Sequence, residues 1–218
     1  MNCMIKDERY ILDSEIESKA YAMLAGFESQ YGKVVKPPIP IDRIIESYLD
    51  IWMDWDDIQD TNEEKILGYL NPSSKKILMN ERHRDHFEEY IGTEAYTKAH
   101  EVGHWDLHIA KKSEAVQLPL LLPKGEITYL CRQQKLDKRE IQAEKYAAYL
   151  LMPHHLLMEA INDVDITKWP DLYTLKNEFG VTITAFTKRL KSLKLIYITE
   201  DKKIFHSQAE SFGNKNLF

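Results

Sequence analysis

Apolar residues recur at helical spacing over residues 14–30, where Ile16, Ala20, Met23, Leu24 and Phe27 line one face and Ser14 stands in the capping position. The prolines of KPPIP at 36–40 end that helix, and a short one restarts over 41–48. The period then falls to two. Residues 67–70 and 76–80 read as strands joined by the turn Asn71-Pro72-Ser73-Ser74, and Ile51-Trp52-Met53 supplies a third strand. Helical spacing returns over 84–110, interrupted by Gly92, with Thr93 as the cap of the second half. Residues 111–137, around LPLLLPKG, show no period and read as a long excursion of the kind that forms substrate-side lids. A helix over 138–152 stops at Pro153. After Pro170, residues 172–179 and 183–193 make two short helices around Gly180-Val181-Thr182, and 196–198 with 203–205 a terminal hairpin; the last twelve residues fray. This order predicts an α+β fold with helices packed on a short sheet. It also predicts a first unit at 1–165 and a helix-turn-helix-like pair with a β-hairpin at 166–218, packed together or apart.

Composition narrows the class. With 218 residues, 44% of them hydrophobic and 29% charged, the chain can bury a core without staples. Two cysteines, Cys3 and Cys131, cannot make a disulfide framework, so a reduced, cytoplasmic protein is expected. No secretory leader is expected from MNCMIKDERYILDSEIES, and the greasiest stretch, 118–122, is interrupted by Pro119 and is too short to cross a bilayer. A net charge of −6 argues against coating nucleic acid or membrane.

The chemistry concentrates at His100-Glu101-Val102-Gly103-His104, an HExxH string. On a helix the two histidines share a face and reach one metal ion, while Glu101 is placed to take a proton from metal-bound water. A catalytic zinc site calls for a third protein ligand. A third histidine in HExxHxxGxxH is ruled out, because Leu107 and Ala110 occupy the glycine and histidine places. The other route is a glutamate on a later helix. Glu140 and Glu144 lie one turn apart beside the small residues Ala143 and Ala147, and either can ligate while the other orients an imidazole. Taken as ordinary surface, they are two solvated acids.

His108 shares the helical face of His100 and His104, but one helix does not curve enough for three such residues to hold one ion. Its expected place is behind the ligands or in packing. His83 and His86 read as solvated, His154 and His155 as surface or capping residues, Cys131 as a small buried residue, and Trp105 and Tyr146 as core.

AHEVGHWDLH (99–108) followed by EIQAEKYAAYLLMP (140–153) resembles the ImmA/IrrE family of zinc metallo-endopeptidases, with their AHExGHxxLH and ExxANxFAAxLLMP patterns. PPIPIDRIIESYLDI, LGYLNPSSKKILMNE and NEFGVTITAFTKRLKSLKLI extend the resemblance over roughly residues 35–198. It implies a small zincin-like domain of the minimal gluzincin type, with one Zn²⁺ per chain held by His100, His104 and Glu140 and with Glu101 as general base. Glu144 stands where the family carries Asn or Asp, which keeps a swap with Glu140 open. The implied activity is a narrow-specificity endopeptidase that cuts a helix-turn-helix repressor in stress or mobile-element regulation. The alternative is a non-catalytic DNA-binding or toxin–antitoxin regulator with a structural metal. Lys188, Arg189, Lys191 and Lys194 make the second C-terminal helix basic, but the acidic chain favours a solvated face over a DNA reader.

Overall fold

The computed structural model describes residues 11–61, 64–109, 118–123 and 138–213, the segment 118–123 as backbone only. The elements are α1 (Asp13–Tyr31), α2 (Ile41–Arg43), β1 (Trp52–Asp56), β2 (Glu64–Asn71), β3 (Lys76–Asn80), α3 (Arg84–Glu89), α4 (Thr93–His104), β4 (Leu118–Pro123) and α5 (Lys138–Leu151). They continue with α6 (His154–Ile161), α7 (Trp169–Phe179), α8 (Ile183–Ser192), β5 (Tyr197–Ile198), β6 (Ile204–Phe205) and α9 (Gln208–Ser211). Both α2 and α4 run on into single π-type turns, Ile44–Tyr48 and Trp105–Ile109.

The α+β class holds. The predicted hairpin is β2–β3, antiparallel with Leu70 opposite Ile77. The third strand, β1, pairs with β3 in parallel, Met53 opposite Ile77. The sheet order is β1-β3-β2-β4. The excursion at 111–137 therefore contains a strand that periodicity did not show: β4 pairs antiparallel with β2, Leu118 opposite Leu70 and Pro123 opposite Glu64. The segment LPLLLP can be a strand despite its prolines because β4 is an edge strand, where a missing N–H on the open side breaks no ladder bond. The rest of that excursion, with its lid reading, and Cys131 lie outside the described residues. Two caps also differ. Leu12 precedes α1 with no side-chain cap, and Ser14 sits inside the helix. Gly92, in the left-handed region, precedes α4 and Thr93 is its first residue.

One buried apolar cluster runs through the described chain, from Ile16 and Phe27 of α1, through Leu70 and Ile77 of the sheet, to Leu172, Leu190 and Ile204. Within it α4 lies between β2 and α5, and α5 is backed by α1 and α8. Two glycines permit this stacking. A Cβ at Gly68 of β2 would come within 2.6 Å of Thr97 Cγ2, and one at Gly103 within 3.1 Å of Ala143 Cα. Contacts so close leave no room for a side chain at either glycine.

The turn between α7 and α8 is fastened to the start of α4. Gly180 ends α7 at φ 62°, and Gly92 stands against it at φ 94°, so close that an added Cβ would lie 2.3 Å from the Val181 carbonyl carbon. Gly180→Ala should cost about 1–2 kcal/mol, the penalty of a left-handed conformation. Gly92→Ala should cost roughly 1–3 kcal/mol more, because its Cβ would overlap rigid backbone. Urea denaturation of the two variants measures the difference, and equal losses would mean the contact is not tight.

Candidate metal centre

Every residue from Thr97 to His104 is buried, so this part of α4 is enclosed on all sides although five of its eight residues are polar or charged. Each polar group inside must then find a partner or raise the energy of the fold. Lys98 does so with Asp42 (2.9 Å) and Glu94 (2.5 Å). Its hydrogen bonds outweigh burial and hold its pKa above the ordinary lysine value.

The two histidines find theirs at the first turn of α5. His100 Nε2 lies 3.1 Å from Glu140 Oε2, His104 Nε2 3.3 Å from Glu140 Oε1, and the two Nε2 atoms 2.9 Å from each other. These residues form a group with donor atoms all within 4.8 Å of one another, a set that could hold a metal ion. The chemistry of the set fits a cation. Three Lewis bases face one point, and two imidazole lone pairs at 2.9 Å repel unless a proton or a cation lies between them. Tetrahedral zinc with bonds of 2.0–2.1 Å would separate adjacent donors by about 3.4 Å, a small expansion of this cluster.

Two carboxyls near this point are pushed apart electrostatically. Burial works to raise the Glu140 pKa, but hydrogen bonds with His100 and His104 prevail and bring it down to about 2. Glu101 moves the other way. Burial lifts it well above the usual carboxylate range, the charge of Glu140 adds to the lift, and the Leu70 backbone N–H opposes it. One group is kept ionised and the other made basic, a division of roles common in sites of acid–base chemistry.

His108 stands behind the group. The π-type turn after His104 brings its Nδ1 to 3.2 Å from His104 Nδ1, and its Nε2 to 3.0 Å from Gln142 Oε1. Burial lowers the His108 pKa to about 4, so the ring is neutral. Glu144 is not in the group. Its backbone carbonyl accepts from Tyr96 Oη (2.9 Å), and its carboxylate approaches Lys188 at 3.9 Å. That carboxylate lines a cleft of about 370 Å³ between the start of α4, α7 and α8, with Tyr90, Ile91, Tyr96, Tyr173 and Ile183 around it.

The remaining candidates scatter. His83 Nε2 is 2.9 Å from Asp60 Oδ1, a partnered position rather than a solvated one. His86 leans on Tyr90, the ring centroids 4.7 Å apart and the planes tilted by 40°, and burial lowers its pKa. His154 and His155 are exposed, Tyr146 is fully buried and Trp105 packs against the core. Gln142 was missed. Its signal was the adjacent Ala143, whose smallness marks the stretch of α5 nearest α4.

Glu101 has a measurable consequence for stability in metal-free protein. Its raised pKa means the folded state holds the proton more tightly than the unfolded chain, so stability is lost as pH rises above the unfolded value near 4.5. Glu101→Gln cannot ionise and escapes that loss. In the presence of a chelator the variant should become progressively more stable than wild type from pH 4 towards pH 8, with no advantage at the acidic end. Denaturant melts across that range check this, and a pH-independent difference would contradict it.

Among sequences, residues 59–191 match the IrrE N-terminal-like domain of the M78 peptidases. No curated protein matches the chain significantly. Among solved structures, a Mycobacterium tuberculosis transcriptional regulator is similar at 16% identity with a TM-score of 0.48. The similarity covers 88% of this chain and 55% of the regulator, so the chain spans about half that protein's length. The matched domain runs from the start of the β2–β3 hairpin through α4 and α5 into α8, more than half of the chain, and with the His-His-Glu group inside it the chain belongs to the IrrE N-terminal-like family of M78 peptidases.

Proposed function

We propose that the protein is a zinc-dependent endopeptidase of narrow specificity, with His100, His104 and Glu140 as metal ligands and Glu101 as the general base. The observation that carries this reading is the convergence of His100 Nε2, His104 Nε2 and the Glu140 carboxylate next to a second, strongly basic carboxyl. Zinc bound there supplies Lewis acidity to the scissile carbonyl and to the attacking water.

The chain's own groups supply the proton transfers. Glu101 takes a proton from the water as its oxygen bonds to the carbonyl carbon, and gives it to the nitrogen as the C–N bond breaks. The products are an acid and an amine, with Glu101 returned to its starting state. Sandwiched between β2 and α5, Glu101 can be basic without being diluted into solvent. The cleft beside Glu144 offers apolar and aromatic walls for a substrate side chain.

The ImmA/IrrE resemblance points to a helix-turn-helix repressor as the substrate, and the scarcity of cysteine to a reduced, cytoplasmic setting. Among the described residues no helix is long and apolar enough to cross a membrane. The competing reading, a DNA-binding regulator with a structural metal, leans on the basic α8. That helix turns Arg189 inward, 3% exposed, where it bonds Glu17 at 2.6 Å and lies over the ring of Tyr149. A DNA-reading face built on α8 would lack that charge.

Elemental analysis of purified protein should give about one zinc per chain in wild type and in Glu144→Ala, and loss of zinc in Glu140→Ala. The reverse pattern would exchange the two glutamates. Glu101→Gln should fold, keep its zinc and lose cleavage of the repressor by roughly 10²–10⁴-fold, the usual worth of a general base. Mass spectrometry of the repressor incubated with each protein reads the cut. Wild-type rates in Glu101→Gln would remove Glu101 from the mechanism.

A further inference from the structure

We propose that Gln142 is a positioning residue that sets the proton arrangement of His104, acting through His108, and thereby opens His104 Nε2 to a metal ion. The proposal rests on the metal-site reading above. Its basis is a chain of three close polar contacts running from α5 to the π-type turn and back to α4: Gln142 Oε1 to His108 Nε2 at 3.0 Å, His108 Nδ1 to His104 Nδ1 at 3.2 Å, and His104 Nε2 to His100 Nε2 at 2.9 Å.

Proton counting along the chain leaves few choices. A neutral imidazole carries one N–H and one lone pair, and an amide oxygen only accepts. With its oxygen turned to His108, Gln142 requires the proton of that ring on Nε2. His108 Nδ1 is then a lone pair and accepts from His104 Nδ1–H. That leaves the lone pair of His104 on Nε2, the atom a metal ion would take; in metal-free protein a further proton there makes the hydrogen bond to Glu140. The opposite orientation of the amide would reverse every proton and aim an N–H at the same place, closing it to a cation.

The link is needed at His104 in particular. His100 Nδ1 is buried with no hydrogen-bond partner among the described residues, so the orientation of the pair is held from the His104 side. Gln142 is itself only 6% exposed, His104 is fully buried, and the turn that carries His108 is packed against α5, so solvent is a poor substitute at either end. Ligand histidines commonly pass their second N–H to a carboxylate or a carbonyl, and losing such a partner weakens metal binding about 10–100-fold. Here a second histidine stands between, and the group that decides the direction of the chain is one residue further away.

The experiment has two arms, neither read by activity. In the first, zinc affinity is measured by competition with a chromophoric chelator for wild type, Gln142→Met and Gln142→Glu, each checked for folding by circular dichroism. Methionine keeps the shape and loses the acceptor, so affinity should fall about 10–100-fold. Glutamate accepts and cannot donate when ionised, so it should restore affinity close to wild type. Equal affinity in all three, or loss in both variants alike, would overturn the proposal. The second arm needs no variant. Long-range ¹H–¹⁵N correlation of the imidazole rings in zinc-loaded wild type should show His108 protonated at Nε2 and His104 at Nδ1. The reverse tautomer of His108 with normal zinc uptake would overturn the Gln142 assignment alone, whereas no zinc uptake by wild type would overturn the metal-site reading with it.

Discussion

The close approach of α4 to α5 is the constraint on which the rest of the structure depends. At Gly103 the two backbones come near enough that even a Cβ would press on Ala143. Only at that spacing does the Glu140 carboxylate, leaving the first turn of α5, meet two imidazoles leaving the last turns of α4. A helix start also suits Glu140, because the unpaired N–H groups there favour a negative charge. The same closeness helps keep residues 97–104 of α4 from solvent, which is why the polar groups there turn to internal partners such as Glu140.

Burial on all sides also sets the electrostatics. A carboxylate enclosed without a cationic neighbour becomes basic, and one enclosed among imidazoles becomes acidic; Glu101 on α4 and Glu140 on α5 are these two cases. Sequence spacing identifies both as acids but says nothing of this difference, which comes from what each carboxyl faces after folding. Gly68 of β2 stands beside Glu101, whereas the imidazoles of α4 stand beside Glu140, and these supply the two environments.

Much of the architecture was legible because it rests on local rules. The i,i+4 histidines, the turn at Asn71-Pro72-Ser73-Ser74 and the break at Pro153 are each encoded within a few residues. What escaped is non-local. The parallel pairing of β1 with β3 depends on a crossover that no short pattern announces, and β4 hides because an edge strand tolerates prolines that an interior strand would refuse. The cap at Gly92 was misplaced by one residue, since its left-handed backbone serves the contact with Val181 as well as the helix start. At the candidate centre the HExxH geometry was readable. Which of Glu140 and Glu144 faces it was left open by spacing, and in the folded chain Glu144 is drawn toward Lys188 and the cleft. Gln142 carries no motif of its own, and only the small residue beside it, Ala143, hints at the packing it joins.

The π-type turn at Trp105–Ile109 has a consequence for how this region can evolve. Such a turn is an α-helix holding one residue too many, and it persists only while that residue remains. Loss of any one position between 105 and 109 would let the helix rewind regularly and carry everything beyond it round by about 100°. His108 would leave His104 although neither histidine had been replaced. The region should therefore accept changes of side chain at its outer positions far more readily than any change in length, so that an alignment gap there would signal a different wiring of the centre even where every histidine and glutamate is present.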